Sequence, residues 1–239
     1  MDYSRTGNIH GVIAIDKPRG PTSMSMVNLI RRRAGKAKTG HAGTLDPLAT
    51  GVLVLGIGKM TKRLGELTNT IKQYTTVINL SATTDGHDAE TPPLEVVVGH
   101  IPTISEVEIA VKAFHGEIMQ SPPIFSAIKI DGRRAYIAAR KGENVKIKPR
   151  PVVVRDISVT SYEWPLVTVD IECEKGFYVR SLARDLGEAL ETGGYCVGIR
   201  RTAVGPFTID NSIALEDLPK TITQDDVVSS DEVDQLLSL

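Results

Sequence analysis

Cysteine is nearly absent from this chain: Cys173 and Cys196 are the only two in 239 residues, and they lie far apart. Two isolated thiols make neither a disulfide framework nor a zinc-ligand spacing, so free thiols in a reducing compartment are the expectation. No apolar run approaches the ~20 residues that a membrane-spanning helix needs. Residues 1–10 lack the apolar stretch of a secretion signal. A large excess of either charge is missing too, and a formal net charge of −1 excludes a uniformly basic nucleic-acid binder. What is present, 41% hydrophobic and 24% charged residues, excludes a disordered chain. The length is enough to bury a substantial core without staples. A soluble, cytoplasmic protein that makes no use of a membrane is expected.

Charge is more informative by position than by sum. From residue 211 onward there are seven acids (Glu216, Asp217, Asp225, Asp226, Asp231, Glu232, Asp234) and one base, Lys220, which leaves residues 1–210 with a net of +5. Within that part, Arg31, Arg32, Arg33, Lys36 and Lys38 fall in eight residues without an acid. Residues 129–150 hold eight bases (Lys129, Arg133, Arg134, Arg140, Lys141, Lys146, Lys148, Arg150) against Asp131 and Glu143. Two such stretches suit a phosphate backbone, and from charge alone they equally suit two solvated faces.

Hydrophobic periodicity divides the chain into short elements. Gly11–Ile15 reads as a buried strand ending in the turn chemistry of Asp16-Lys17-Pro18-Arg19-Gly20-Pro21. Thr22 or Ser23 then caps a helix through about Arg33. Val52–Ile57 reads as a strand buried on both faces, Thr61–Leu67 as a short helix, and residues 71–83 as β-rich. Residues 84–103 are polar and acidic, as a loop is. Ser105 with Glu108 forms a capping box for a helix, and residues 133–141 suit a basic helix. Val152–Ser161 and Leu166–Cys173 read as strands, Tyr178–Leu190 as a helix stopped by Gly193-Gly194, and 195–209 as β again. Ser229–Leu237 resembles a capped amphipathic helix. Strands and helices do not alternate strictly, so the fold class is α+β.

The segment richest in chemistry is Gly40-His41-Ala42-Gly43-Thr44-Leu45-Asp46-Pro47-Leu48-Ala49-Thr50-Gly51-Val52-Leu53. Pro47 disfavours the helical region for Asp46 and holds it extended. A carboxylate on a glycine-rich loop that feeds a buried strand is well placed for catalysis, and Asp-Pro is equally common in ordinary turns.

This segment resembles the signature loop of the TruB-type tRNA pseudouridine synthases. Further blocks are similar in the same order. Asp16-Lys17-Pro18-Arg19-Gly20-Pro21-Thr22-Ser23 resembles the family's N-terminal motif, and Thr61-Lys62 with Lys72-Gln73-Tyr74 its tyrosine segment. Phe114-His115-Gly116, Gln120-Ser121-Pro122-Pro123, Phe125-Ser126-Ala127 and Lys129 match the start of its thumb insertion. Lys175-Gly176-Phe177-Tyr178-Val179-Arg180-Ser181-Leu182 with Asp185-Leu186-Gly187, and Arg200-Arg201-Thr202-Ala203-Val204-Gly205-Pro206-Phe207, complete the set. Together the blocks span residues 11 to about 220.

The resemblance implies a mixed, largely antiparallel central sheet flanked by helices. It implies a catalytic domain over 1–210 with a thumb-like insertion at about 115–150. Residues 211–239 would be a short acidic tail in place of a full RNA-binding domain of the PUA type. It implies isomerisation of the T-loop uridine, position 55 of tRNA, to pseudouridine, with no redox change and hence no cofactor and no metal. Asp46 would be the catalytic carboxylate; whether it attacks the sugar, attacks the base or takes a sugar proton stays open. Ionised and desolvated, it would need a cation, for which Arg180 is the candidate. Tyr74 would stack on the extruded uracil, and Tyr178 would border the same pocket. Ile199 would form its apolar floor, and His41 would fill the space the flipped base leaves. Lys17 and Lys62 would contact phosphate or support the loop. Asp85-Gly86-His87-Asp88 reads as a structural or tRNA-facing acidic loop rather than a metal site. The partner would be the T-arm stem-loop of tRNA, met by a monomer that needs no obligatory protein partner. Phe125 stands where many relatives have tyrosine.

Overall fold

The computed structural model describes residues 9–124, 129–130, 133–134 and 147–238. Phe125, Ser126, Ala127 and most of the expected thumb and basic helix lie outside them. In that stretch Lys129–Ile130 and Arg133–Arg134 are two short antiparallel strands, so the helix expected from residue 133 does not start there. The chain divides into two compact units, residues 1–74 with 200–239, and residues 75–199.

The first unit is built on β3 (Thr50–Ile57), whose interior is an apolar run with no polar alternation and whose burial is nearly complete on both faces. Strand β1 (Gly11–Lys17) pairs with it antiparallel from Gly11↔Ile57 to Lys17↔Gly51. Strand β2 (Thr39–His41) pairs with one end of its other edge, and Arg200 and Arg201 of β12 (Tyr195–Val204) pair parallel with the other end. Helix α1 (Ser23–Arg33) is capped by Thr22, whose hydroxyl accepts from the Ser25 N–H at 3.0 Å; Ser23 is left free for another task. The core joins Val12, Val52 and Val54 to Met60, Leu67, Val204 and Phe207.

The acidic C-terminal segment is part of this unit. Val12 and Val228 exchange backbone hydrogen bonds at 2.8 Å, and the Ile222 N–H donates to the Arg33 carbonyl at 2.9 Å. The last helix (Ser230–Leu237) is the expected capped helix, its cap a box of Ser229 with Glu232, and it buries Val233 in the core. Arg63 ties it down through Ser230 and Asp234.

The second unit holds β4 (Lys72–Asn79, from Thr75), β11 (Leu166–Cys173), β10 (Arg150–Glu163) and β7 (Gly116–Gln120), with β10 antiparallel to both β11 and β7. Helix α3 (Ile104–Lys112) begins two residues earlier than its Ser105 cap would place it. Thr103 is the cap, and the Glu106 carboxylate accepts from both the Thr103 N–H and its hydroxyl, so the earlier of two overlapping capping patterns wins and adds to the helix. Helix α4 (Val179–Ala189) starts from Tyr178 and buries Leu182, Ala183 and Leu186.

Candidate active site

Strand β2 delivers His41, β3 begins at Thr50, and the eight residues between them form the loop that carries Asp46. Ala42 N–H donates to Val54 C=O at 2.9 Å, and Ala49 N–H to Asp46 C=O at 3.1 Å, which folds Pro47-Leu48 into a turn. Leu45 and Leu48 are buried and anchor the loop from below; Asp46 between them is half-buried.

The peptide groups on either side of Asp46 are both held by one segment, the β1–α1 connection. Ahead of it, the Ser23 hydroxyl accepts from the Leu45 N–H and donates to the Leu45 C=O, each at 2.8 Å, in a position only 2% exposed. Behind it, the Pro47 C=O accepts from the Gly20 N–H at 2.8 Å and from Lys17 Nζ at 3.3 Å. Lys17 is fully buried and also donates to the Pro18 and Pro21 carbonyls at 2.9 Å. Of the two roles expected for Lys17, phosphate contact and loop support, its buried position does not fit the first and fits the second. An ammonium with no exposed surface and its donors aimed at carbonyls supports the loop from inside.

A second cation backs the loop. Arg201, 1% exposed, donates through Nε to Val52 C=O at 2.8 Å and through Nη2 to Gly43 C=O at 3.2 Å. Its backbone lies so close to Gly51 that a Cβ there would sit 2.1 Å from the Arg201 oxygen, and Gly51 has a φ of +101°. His41 is half-buried beside this charge. Burial first, then the Arg201 charge, hold its pKa below the ordinary value, against a backbone hydrogen bond with Gly43. It is thus neutral in the neutral range, with Nδ1 buried and without a partner among the described residues.

Tyr74 stands half-buried at the end of the first unit, in β4. Two residues earlier Lys72 turns inward, its ammonium donating to the Thr68 and Thr70 carbonyls. Lys62 closes a 3₁₀ turn (Gly58–Lys62) on the surface, where a phosphate can reach it.

In the second unit the start of α4 is fixed at several points. The Gln120 amide grips the Tyr178 backbone from both ends: Oε1 accepts from the Tyr178 N–H at 2.8 Å, and Nε2 donates to its C=O at 3.1 Å. The Arg150 guanidinium lies 5.3 Å from the Tyr178 ring centroid, in cation–π range. Ser181 and Arg184 donate to the Ser121 C=O at 2.8 and 3.0 Å. Arg180, 5% exposed, is 3.3 Å from Asp88 Oδ2 and donates to Gly86 C=O at 3.1 Å. The loop around Asp85–Asp88 thus has a structural role, and Asp88 is the counter-ion that Arg180 has within its own unit. Among the described residues no three His, Cys, Asp or Glu side chains are grouped for a metal ion. Ile199 is buried.

Within the first unit the structure brings the segments of Lys17, His41 and Asp46 together; within the second it places Tyr178 and Arg180 on one helix start. Ser23, Arg201, Gln120 and Asp88 entered the sequence reading only as a helix cap, as members of motif blocks or as part of an acidic loop, and not in these roles. For Arg201 a signal exists: it shares the strand parity of Ile199 and Ala203, both buried, so the alternation puts it inside.

The chain has counterparts among known proteins. A family model described as TruB family pseudouridylate synthase (N terminal domain) matches residues 31–179, and one described as tRNA pseudouridylate synthase B C-terminal domain matches residues 180–238. The chain is 48% identical to tRNA pseudouridine synthase B of Corynebacterium diphtheriae over 216 residues, covering 87% of this chain and 72% of that one. It is 41% identical to the protein of the same name from Phocaeicola vulgatus over 227 residues, covering 90% and 94%. Among solved structures, a chain of a Cbf5-Nop10-Gar1 complex superposes with a TM-score of 0.68 at 32% identity, over 87% of this chain. Our chain spans about half of that one, 53%.

Proposed function

The chain belongs to the TruB family of pseudouridylate synthases, and from that premise we propose that it converts the T-loop uridine of tRNA, position 55, to pseudouridine. The reaction breaks the N1–C1′ bond, turns the base and joins C5 to C1′. The C5 proton is lost and N1 gains one, so atoms and electrons balance without an oxidant or reductant. The observation that carries the reading is the grip on Asp46, whose two neighbouring peptide groups are pinned by Ser23, Lys17 and Gly20. A carboxylate held by its backbone keeps its place when a polyanion arrives, which is what preorganised catalysis requires.

The other roles follow the family residue by residue. Tyr74 stacks on the extruded uracil, a contact worth about 1–3 kcal/mol. Tyr178 borders the base, and its backbone fixation by Gln120 supports a set orientation. Arg180 supplies the cation of the site, and its buried place beside Asp88 supports a fixed charge. Ile199 offers an apolar floor. His41, kept neutral by burial and Arg201, fills the gap in the T-loop without adding a charge. Lys62 meets phosphate. The reading includes a monomer acting without an obligatory protein partner. The tRNA substrate and the buried Cys173 and Cys196, neither in a disulfide, support a cytoplasmic location; no helix among the described residues is long and apolar enough to cross a membrane.

The test is Asp46→Asn assayed on unmodified tRNA by carbodiimide labelling and primer extension. The variant should bind tRNA like the wild type and form no pseudouridine at the T-loop position. Full activity would refute the assignment.

A further inference from the structure

From Lys17 to Gly65 the chain carries ten basic residues and a single acid, Asp46. The structure sorts those ten. Lys17 is inside. Arg33 donates to the Leu218 and Pro219 carbonyls at 2.7 and 3.2 Å and so belongs to the C-terminal segment. Arg63 is neutralised by Glu66 and Asp234. Arg19 lies on the turn before α1. The remaining six, Arg31, Arg32, Lys36, Lys38, Lys59 and Lys62, are all exposed and make no ion pair among the described residues.

Backbone geometry gathers these six at one end of β2. The Lys36 N–H donates to Arg31 C=O at 2.8 Å, folding the end of α1 back on itself. The Gly58 N–H donates to Lys38 C=O at 2.7 Å, which sets Lys38 beside Lys59. Lys59 and Lys62 are three apart in a 3₁₀ turn, where positions i and i+3 lie on the same side. Cations in the last turn of a helix offset its dipole, which accounts for Arg31 and Arg32 alone. Lys38, Lys59 and Lys62 offset no dipole, and gathering them costs mutual repulsion that no ion pair among the described residues relieves. An anion from outside the chain would supply that compensation.

We propose that this cluster is a phosphate-backbone track for the RNA substrate, placed where β2 leads through His41 into the Asp46 loop. The cluster lies at the Ile57 end of β3 and the Asp46 loop enters at its Thr50 end, roughly 20 Å away along the strand, so the phosphates it meets are several nucleotides from the one delivered to the loop. The reading rests on tRNA being the substrate. Of the basic stretch at residues 31–38, it excludes Arg33, and it adds Lys59 and Lys62 from a distant part of the sequence.

The test is the triple variant Lys36→Gln, Lys38→Gln, Lys59→Gln of the full chain, with binding to unmodified tRNA measured over a range of KCl. Each lost phosphate contact lowers the slope of log affinity against log salt by roughly 0.7–0.9. The triple variant should therefore show a slope smaller by about 2–3, and up to about 100-fold weaker binding at ~0.1 M salt. Lys112→Gln, an exposed lysine of the second unit, should leave the slope as it was. Wild-type protein that binds no tRNA would overturn the substrate reading and this one together. Wild-type binding with an unchanged slope in the triple variant, or an equal loss per charge in the control, would overturn the track alone.

Discussion

The Ser23 hydroxyl is the cheapest part of the Asp46 loop to remove, and its removal separates positioning from chemistry. Ser23→Ala deletes one oxygen atom that lies 2.8 Å from both the N–H and the C=O of Leu45. Ser23 and Leu45 are 2% and 4% exposed, so water cannot take the place of the hydroxyl without opening the loop. An unsatisfied buried polar group costs about 1–3 kcal/mol. Two such groups, one of them a carbonyl with a second lone pair, come to about 2–4 kcal/mol. For a chain of this size that corresponds to a fall in Tm of about 4–16 °C. The loop can also relieve the strain locally by shifting, and a displacement of ~1 Å at a reacting group costs up to ~100-fold in rate. Tritium release from tRNA labelled at uridine C5 should show kcat down by about 10- to 100-fold with KM within about twofold, since no RNA-facing group changes. Hydrogen exchange at the Leu45 amide should accelerate in the same variant. A kcat within twofold of wild type together with unchanged exchange at Leu45 would refute the clamp.

Two more outcomes follow from the same structure. His87 is held neutral, its pKa pushed down to about 4 by burial first and then by Arg184 and Arg180, with Asp85 opposing. The unfolded chain takes up this proton near the ordinary value of 6.5, so the stabilisation is complete above that pH and is lost as pH falls from about 6.5 to about 4. His87→Asn, which tolerates the φ of +56°, should flatten the decline in urea midpoint between pH 7 and pH 5, and an unchanged decline would count against it. Gly51→Ala should fold poorly or lose stability severely in a thermal melt. Its Cβ would meet the Arg201 carbonyl oxygen at 2.1 Å, in a backbone region that disfavours side chains, and an unaltered Tm would show that the β3–β12 pairing does not need glycine.

Periodicity made several elements legible before any coordinates. Val52–Ile57 lacks polar alternation and became the doubly buried strand; Ser229 with Glu232 became a real capping box. Where two capping patterns overlapped, at Thr103 and Ser105, local sequence could not rank them, because the choice depended on how the carboxylate of Glu106 was held. The acidic C-terminal segment was legible as charge and in its last helix, and not in what it packs against. Its contacts, Val228 to Val12 and Asp234 to Arg63, join opposite ends of the chain.

By itself, the sequence carried the resemblance to the family in its ordered blocks, the α+β class in the irregular succession of its strands and helices, and Asp46 as the candidate carboxylate, because all three lie in residue type and local pattern. Only the tertiary structure decided what each cation does. Lys17 and Lys62 look alike in sequence, as do Arg33 and Arg32. One of each pair is spent on backbone carbonyls and the other faces solvent. A charge can be buried only where polar partners converge on it from elsewhere in the chain, and that convergence has no local signature.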